Sequence, residues 1–92
     1  MNFYLKSLSH YLGKNGVRIN IVAPGNIMFK GSTWEKKVSK NKKQVKKLIK
    51  ETVPLNKFGS TDDITDVISF LVSDNSAYIN GSVISVDGGL TV

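Results

Sequence analysis

Gly16-Val17-Arg18-Ile19-Asn20-Ile21-Val22-Ala23-Pro24-Gly25 is the stretch on which the fold turns. Its interior alternates apolar with polar residues and is rich in β-branched side chains, which suit a pleated, half-buried strand over residues 17–23. Pro24-Gly25 ends that strand abruptly. Upstream, Met1, Leu5, Leu8 and Leu12 recur at spacings of four, three and four, one face of a helix that Gly13 and Gly16 are placed to stop.

Downstream the period returns to that of helices. Ser32-Thr33-Trp34-Glu35 has the spacing of a capping box, so a short helix is expected from about Thr33. A second is expected over 41–52, with Val45, Leu48, Ile49 and Thr52 on one face, until Pro54 disfavours helix at Val53. Ser60 or Thr61 can cap a third, with Asp62 and Asp63 where negative charge meets the positive helix end. Its stripe is Ile64, Val67, Ile68 and Leu71, and Ser73-Asp74-Asn75-Ser76 closes it. Gly81 then allows a turn into a strand over 82–86, followed by Asp87-Gly88-Gly89.

The order helix-strand-helices-strand defines an α/β chain whose two strands run parallel through a right-handed crossover. Two parallel strands are too few to cover these helices, so the chain is expected to be one part of a larger domain. Ninety-two residues bury roughly 60–65% of their unfolded surface, which leaves a marginal core. No apolar run is long enough to span a membrane, and the first residues lack a secretory pattern. Without cysteine and with a single histidine there is neither a disulfide framework nor a thiolate or imidazole metal site. These features fit a cytoplasmic chain with no bound metal. The net charge of +6 is concentrated in eight lysines from Lys36 to Lys50. Such a run is more often a solvated face than a nucleic-acid interface, and no nucleic-acid module accompanies it.

In open α/β sheets ligands bind beyond the carboxyl ends of the strands, where Pro24-Gly25-Asn26-Ile27 and Asp87-Gly88-Gly89 stand. Taken alone, a Pro-Gly there is an ordinary turn. Several segments taken in order say more. Residues 16–25 resemble the G-(I/V)-R-V-N-x-V-x-P-G stretch of short-chain dehydrogenases/reductases. Pro54-Leu55-Asn56-Lys57-Phe58-Gly59 and the Asp62-Asp63-Ile64 that follows resemble that family's P-L-x-R-x-G-x-P-E-E-I. Phe70-Leu71-Val72-Ser73-Asp74, Tyr78-Ile79-Asn80-Gly81 and Val86-Asp87-Gly88-Gly89 are similar to its closing F-L-x-S-D, Y-I-T-G and V-D-G-G motifs.

The resemblance implies that residues 1–92 are the C-terminal portion of a single Rossmann-type NAD(P)-binding domain, a doubly wound parallel sheet whose last two strands lie here. It implies an oxidoreductase that moves hydride between NAD or NADP and an alcohol or carbonyl of a small-molecule substrate, in a homo-oligomer. Pro24, Gly25, Asn26 and Ile27 are then the cofactor-binding residues, Ile27 holding the nicotinamide carboxamide through its backbone. Residues 28–53 become a lid over the substrate, with Met28, Phe29 and Trp34 as its substrate-facing residues. Aromatic residues in such a loop equally serve to pin it down. Asn20 and Asp87 are expected to stabilise the fold, and His10, on a helix near Lys6 and Lys14, has no catalytic role.

Two departures stand out. The family often has a cofactor-bonding threonine two positions after the residue matching Ile27, where this chain has Phe29; either that contact is absent or Ser32 or Thr33 supplies it. The glycine-rich dinucleotide loop and the Tyr-x-x-x-Lys motif precede the matching segment, and Tyr4 and Tyr11 are followed four places on by Leu8 and Asn15. No catalytic residue is therefore expected here, and the chain alone is expected to be inactive. The alternatives are a non-catalytic interaction module or remnant and, with less support, a basic nucleic-acid-binding segment.

Overall fold

The computed structural model describes residues 3–91. Helix α1 spans Phe3–Gly13, strand β1 Ile21–Pro24, helices α2 and α3 Thr33–Lys40 and Lys42–Thr52, helix α4 Thr61–Leu71, and strand β2 Val83–Val86, with one 3-10 turn at Asp74–Ser76 before β2. β1 and β2 pair in parallel, Ile21 opposite Val83 through Pro24 opposite Val86, and α4 packs against β1. This is the architecture expected from the sequence.

β1 begins four residues later than the alternation suggests, and the reason is chemical. Across residues 18–20 side chains share the ladder: Asn80 Oδ1 accepts from the Ile19 amide at 3.0 Å, and Asn20 Oδ1 accepts from Ser82 N at 2.9 Å while its Nδ2 donates to Ile79 O at 3.1 Å. Backbone bonds run beside them, Gly81 N donating to Ile19 O and Ile21 N to Ser82 O, both at 2.8 Å. Asn20 thus holds the sheet together, as expected.

Helix α1 docks by a face the leucine spacing does not name. Leu5 and Ser9 are buried, Leu12 is half-buried and Leu8 is 42% exposed; Met1 lies outside the described residues. The loop at 79–81 lies against Ser9 and Gly13, where only small side chains fit, so the docked face runs Leu5, Ser9, Leu12.

Helix α4 has a complete capping box, Ser60 Oγ accepting from Asp63 N and the Asp63 carboxylate accepting from Ser60 N at 2.7 Å. Of its stripe, Leu71 is buried and Ile64 and Val67 are half-buried, but Ile68 is 46% exposed. The expected box at α2 forms only in half. Ser32 Oγ accepts from Glu35 N, while Glu35 Oε1 accepts from Gly31 N at 3.1 Å instead of from Ser32. Asn41 caps α3 by accepting from Gln44 N.

Val45, Ile49 and Val53 form a buried cluster, flanked by Trp34, Val38, Phe58 and Leu90. Leu48, expected on this face, is exposed instead. Leu90 is turned into this cluster, whereas Val83 and Thr91 are exposed. The radius of gyration is 16.3 Å, against about 12 Å for a compact domain of this length. The extents, 51 × 23 × 20 Å, describe an elongated body in which α2 packs on α3 and, separately, α4 packs on the two-stranded sheet.

Candidate functional site

Pro24 ends β1, and Gly25 continues the ladder by donating from its amide to Val86 O at 3.0 Å. A Cβ on Gly25 would stand 2.5 Å from Asp87 Cβ and 2.7 Å from its Cα. Glycine is required there by the close approach of the chain's own second loop. The two loops beyond the strands are thereby locked side by side.

Beyond Gly25 the chain meets the segment before α4. Gly59 N donates to Asn26 O at 3.0 Å and Met28 N to Gly59 O at 2.9 Å, a parallel bridge centred on Ile27. In such a bridge the central residue uses neither of its own backbone groups, and among the described residues none bonds the Ile27 amide or carbonyl. One donor and one acceptor are thus held on a rigid segment with their hydrogen-bonding capacity unspent.

Pro24, Gly25, Ile27, Phe29, Ser32, Thr33 and Trp34 line one open groove of about 540 Å³, with the first turns of α4 as its far wall. Five of the seven residues singled out from the sequence, Pro24, Gly25, Ile27, Phe29 and Trp34, are among them. Asn26 instead lines, with Ile27, Gly59 and Asp87, a separate cavity of about 210 Å³. Met28 is tied to its neighbours, its sulfur accepting from Ser32 Oγ at 3.8 Å. Phe29 is half-exposed over the groove. Trp34 serves two surfaces: it borders the groove and also packs on Phe58 with ring centroids 5.3 Å apart, with Lys37 Nζ 4.6 Å from its own ring centroid. It also packs against the buried cluster of Val45, Ile49 and Val53.

The two hydroxyls near the Phe29 position differ. Ser32 is 5% exposed, and its oxygen accepts from Glu35 N at 3.1 Å and Phe29 N at 3.4 Å. Thr33 is exposed and lines the groove, and among the described residues its hydroxyl has no partner. Position in sequence did not separate them; the cap did.

Asp87 stabilises the loop after β2. Its carboxylate accepts from the Thr91 hydroxyl at 2.6 Å and from Gly89 N at 3.0 Å, bonds that hold its pKa below the ordinary carboxylate value. Asp63 is lowered likewise, first by the Ser60 amide, then by the Ser60 hydroxyl and Lys57. Sequence reasoning missed Arg18. Its guanidinium donates to the carbonyls of Ser76 at 2.9 Å, Ile79 at 3.1 Å, Leu71 at 3.0 Å and Ser73 at 3.4 Å, closing the C-terminal end of α4 and fixing the approach to β2. An arginine in an alternating strand pattern carries no signal of such a cage.

All eight lysines from Lys36 to Lys50 are exposed, with a Lys47–Glu51 pair at 4.0 Å. Among the described residues no helix is long and apolar enough to cross a membrane and no acidic, histidine or cysteine cluster fit for a metal is found.

The enoyl-(acyl carrier protein) reductase family model matches residues 1–91. The chain is 35% identical over 89 residues to isoepoxydon dehydrogenase patN of Aspergillus clavatus, covering 97% of this chain and 34% of that protein. It is 38% identical over 85 residues to 3-oxoacyl-[acyl-carrier-protein] reductase FabG of Rickettsia felis, covering 92% and 33%. Among solved structures, 4-hydroxyisoleucine dehydrogenase complexed with NADH superimposes with a TM-score of 0.82 at 31% identity, over 96% of this chain and 35% of that one. YwfH, an NADPH dependent reductase involved in bacilysin biosynthesis, does so with a TM-score of 0.80 at 27% identity, over 96% and 35%. The chain belongs to the short-chain dehydrogenase/reductase family, has that family's Rossmann-type α/β fold, and spans about a third of the length of the curated relatives it matches.

Proposed function

We propose that this chain is the nicotinamide- and substrate-facing end of an NAD(P)-dependent oxidoreductase that interconverts an alcohol and a carbonyl. The observation that carries this reading is the free amide and carbonyl of Ile27, pinned between two bonds to Gly59. A carboxamide presents one donor and one acceptor side by side, and a single residue with both backbone groups free is its complement. When bound, the nicotinamide supplies or takes up the hydride. The chain's own part is to orient that ring at Pro24, Gly25 and Ile27 and to keep water from the substrate with the lid at 28–53, whose groove wall is Phe29 and Trp34. Thr33 takes the hydroxyl role that Phe29 cannot, because Ser32 is committed to the cap.

No Tyr-x-x-x-Lys occurs in these 92 residues, Tyr78 being followed four places on by Ser82. Protonation of the substrate oxygen, which hydride transfer to a carbonyl requires, has no donor here, so the chain alone is proposed to be inactive. A homo-oligomer fits the exposed Phe70, Val72 and Tyr78 of the sheet half, which a partner surface would cover.

The test uses a version extended upstream through any Tyr-x-x-x-Lys, titrated with NADH and NADPH and assayed against ketones and alcohols. Ile27→Pro, which deletes one donor, is expected to weaken cofactor binding about tenfold or more, and Thr33→Val by a smaller factor. Unchanged cofactor affinity in Ile27→Pro, or turnover by the 92 residues alone, would overturn the reading.

A further inference from the structure

We infer that Asn80 is a conditional deamidation site, sealed while both α1 and the Ile19 segment hold the 79–81 loop and opened when both let go. The sequence holds two Asn-Gly pairs, Asn15-Gly16 and Asn80-Gly81, the dipeptide in which an unhindered glycine amide most readily attacks the preceding carboxamide. The fold treats them differently. At the second, Asn80 Oδ1 accepts from Ile19 N at 3.0 Å, its Nδ2 donates to Ser9 O at 2.9 Å, and Gly81 N donates to Ile19 O at 2.8 Å. Every atom the reaction needs is engaged, by partners more than 60 residues away in sequence. Gly81 is buried at φ 75°, and a Cβ there would lie 2.6 Å from Ser9 Oγ, so glycine is retained because α1 packs against it.

At Asn15 the bonds are local. Its Nδ2 donates to Tyr11 O at 3.2 Å, Gly16 N to Gly13 O at 3.0 Å, and nothing stands within 4 Å of a Cβ on Gly16; both asparagines are exposed, so the bonds alone separate them. Such bonds at a helix end open readily.

When the 79–81 loop is released from both Ser9 and Ile19, the Gly81 nitrogen is free to lose its proton and bond to Asn80 Cγ. The Cγ–Nδ2 bond breaks and ammonia leaves, giving a succinimide ring; water then opens the ring to aspartate or isoaspartate. Neither product can donate to Ser9 O. A carboxylate oxygen faces that carbonyl instead, and isoaspartate also lengthens the backbone just before β2. The change is therefore one-way: an undocked α1 that stays undocked is prevented from returning.

The measurement is peptide mapping by mass spectrometry of the full 92-residue chain held at mildly alkaline pH, natively and in guanidinium chloride. Three bonds must open together, so native Asn80 is expected to react about a hundredfold more slowly than denatured Asn80, while Asn15 changes only a few-fold. Leu5→Ala, which weakens docking of α1 and with it the Asn80–Ser9 bond, is expected to raise the Asn80 rate a few-fold and leave Asn15 alone. Asn80→Asp is expected to speed amide exchange in α1 at least tenfold with α3 unaffected. The inference is overturned if native Asn80 reacts as fast as Asn15. It is equally overturned if Leu5→Ala, with Trp34 emission showing an intact lid, leaves the Asn80 rate unchanged, or if Asn80→Asp leaves α1 exchange as it was.

Discussion

The α2–α3 pair, proposed above as the lid, and the sheet half, α1 with β1, β2 and α4, are stabilised by different means. Of the five buried hydrophobic residues among those described, Val45, Ile49 and Val53 meet in one cluster at the lid, closed by Trp34, Phe58 and Leu90. The other two, Leu5 and Leu71, belong to the sheet half. It is joined by Arg18, Asn20 and Asn80, whose side chains bond backbone more than 50 residues away, while Tyr78 stands 103% exposed and Val72 and Val83 are open. Directional hydrogen bonds fix where strands and helices go but remove little apolar surface from water. The lid therefore carries its own core, and the sheet half has a geometry that awaits cover.

The strongest way to break this contrast is Arg18→Ala. It leaves the carbonyls of Leu71, Ser76 and Ile79 without their charged donor, and a loss of about 4 kcal/mol is expected in chemical denaturation. Lysine, a single point charge, is not expected to restore it. Amide exchange should localise the damage to α4 and β2; equal loosening of α3 would mean that the two halves are one cooperative unit. Ile49→Ala tests the other half, with about 3 kcal/mol expected from the lost burial and the cavity left behind, read as a red shift and greater quenching of the single tryptophan, Trp34.

Acid should separate the halves more gently. Both carboxyls whose pKa is lowered, Asp63 and Asp87, lie outside the lid helices. Folded values below the ordinary 3.8 mean that their stabilisation is complete above that pH and is lost as pH falls from 3.8 through the folded values. Exchange in α4 and the loop after β2 is expected to quicken there while Trp34 emission holds steady; the reverse order would dissolve the contrast. The smallest effect is expected from replacing Lys42, Lys43, Lys46 and Lys47 together with glutamine. Exposed charges with one 4.0 Å pair contribute little, so stability should move by less than about 0.5 kcal/mol, and cofactor affinity of the extended protein should hold. Tight, salt-sensitive nucleic-acid binding by the unmodified chain, lost on this substitution, would instead make the lysine face an interface.

Much of this protein was determined by its sequence alone. The helix start at Ser60 or Thr61, the break at Val53-Pro54, the two strands and their parallel sense all rest on patterns that act within a few residues, where propensity, capping and proline stereochemistry decide. The Pro24–Ile27 loop was legible because in-order motifs placed it after a strand. What only the tertiary structure decided involves residues brought together from far apart. Leu8 gave way to Ser9 on the docked face of α1 because the 79–81 loop leaves no room for a larger side chain there. Val17 was drawn back to the end of α1 by its bond to Leu12 O, and residues 19 and 20 left the regular strand because Asn80 and Asn20 took over part of its hydrogen bonding. Arg18 became a clamp through carbonyls 53 to 61 positions away. Ser32 was separated from Thr33 by which hydroxyl the α2 cap consumed. Helix and strand periods report which face of an element is apolar, but a hydrogen bond across the fold depends on the position of a partner that no local pattern specifies.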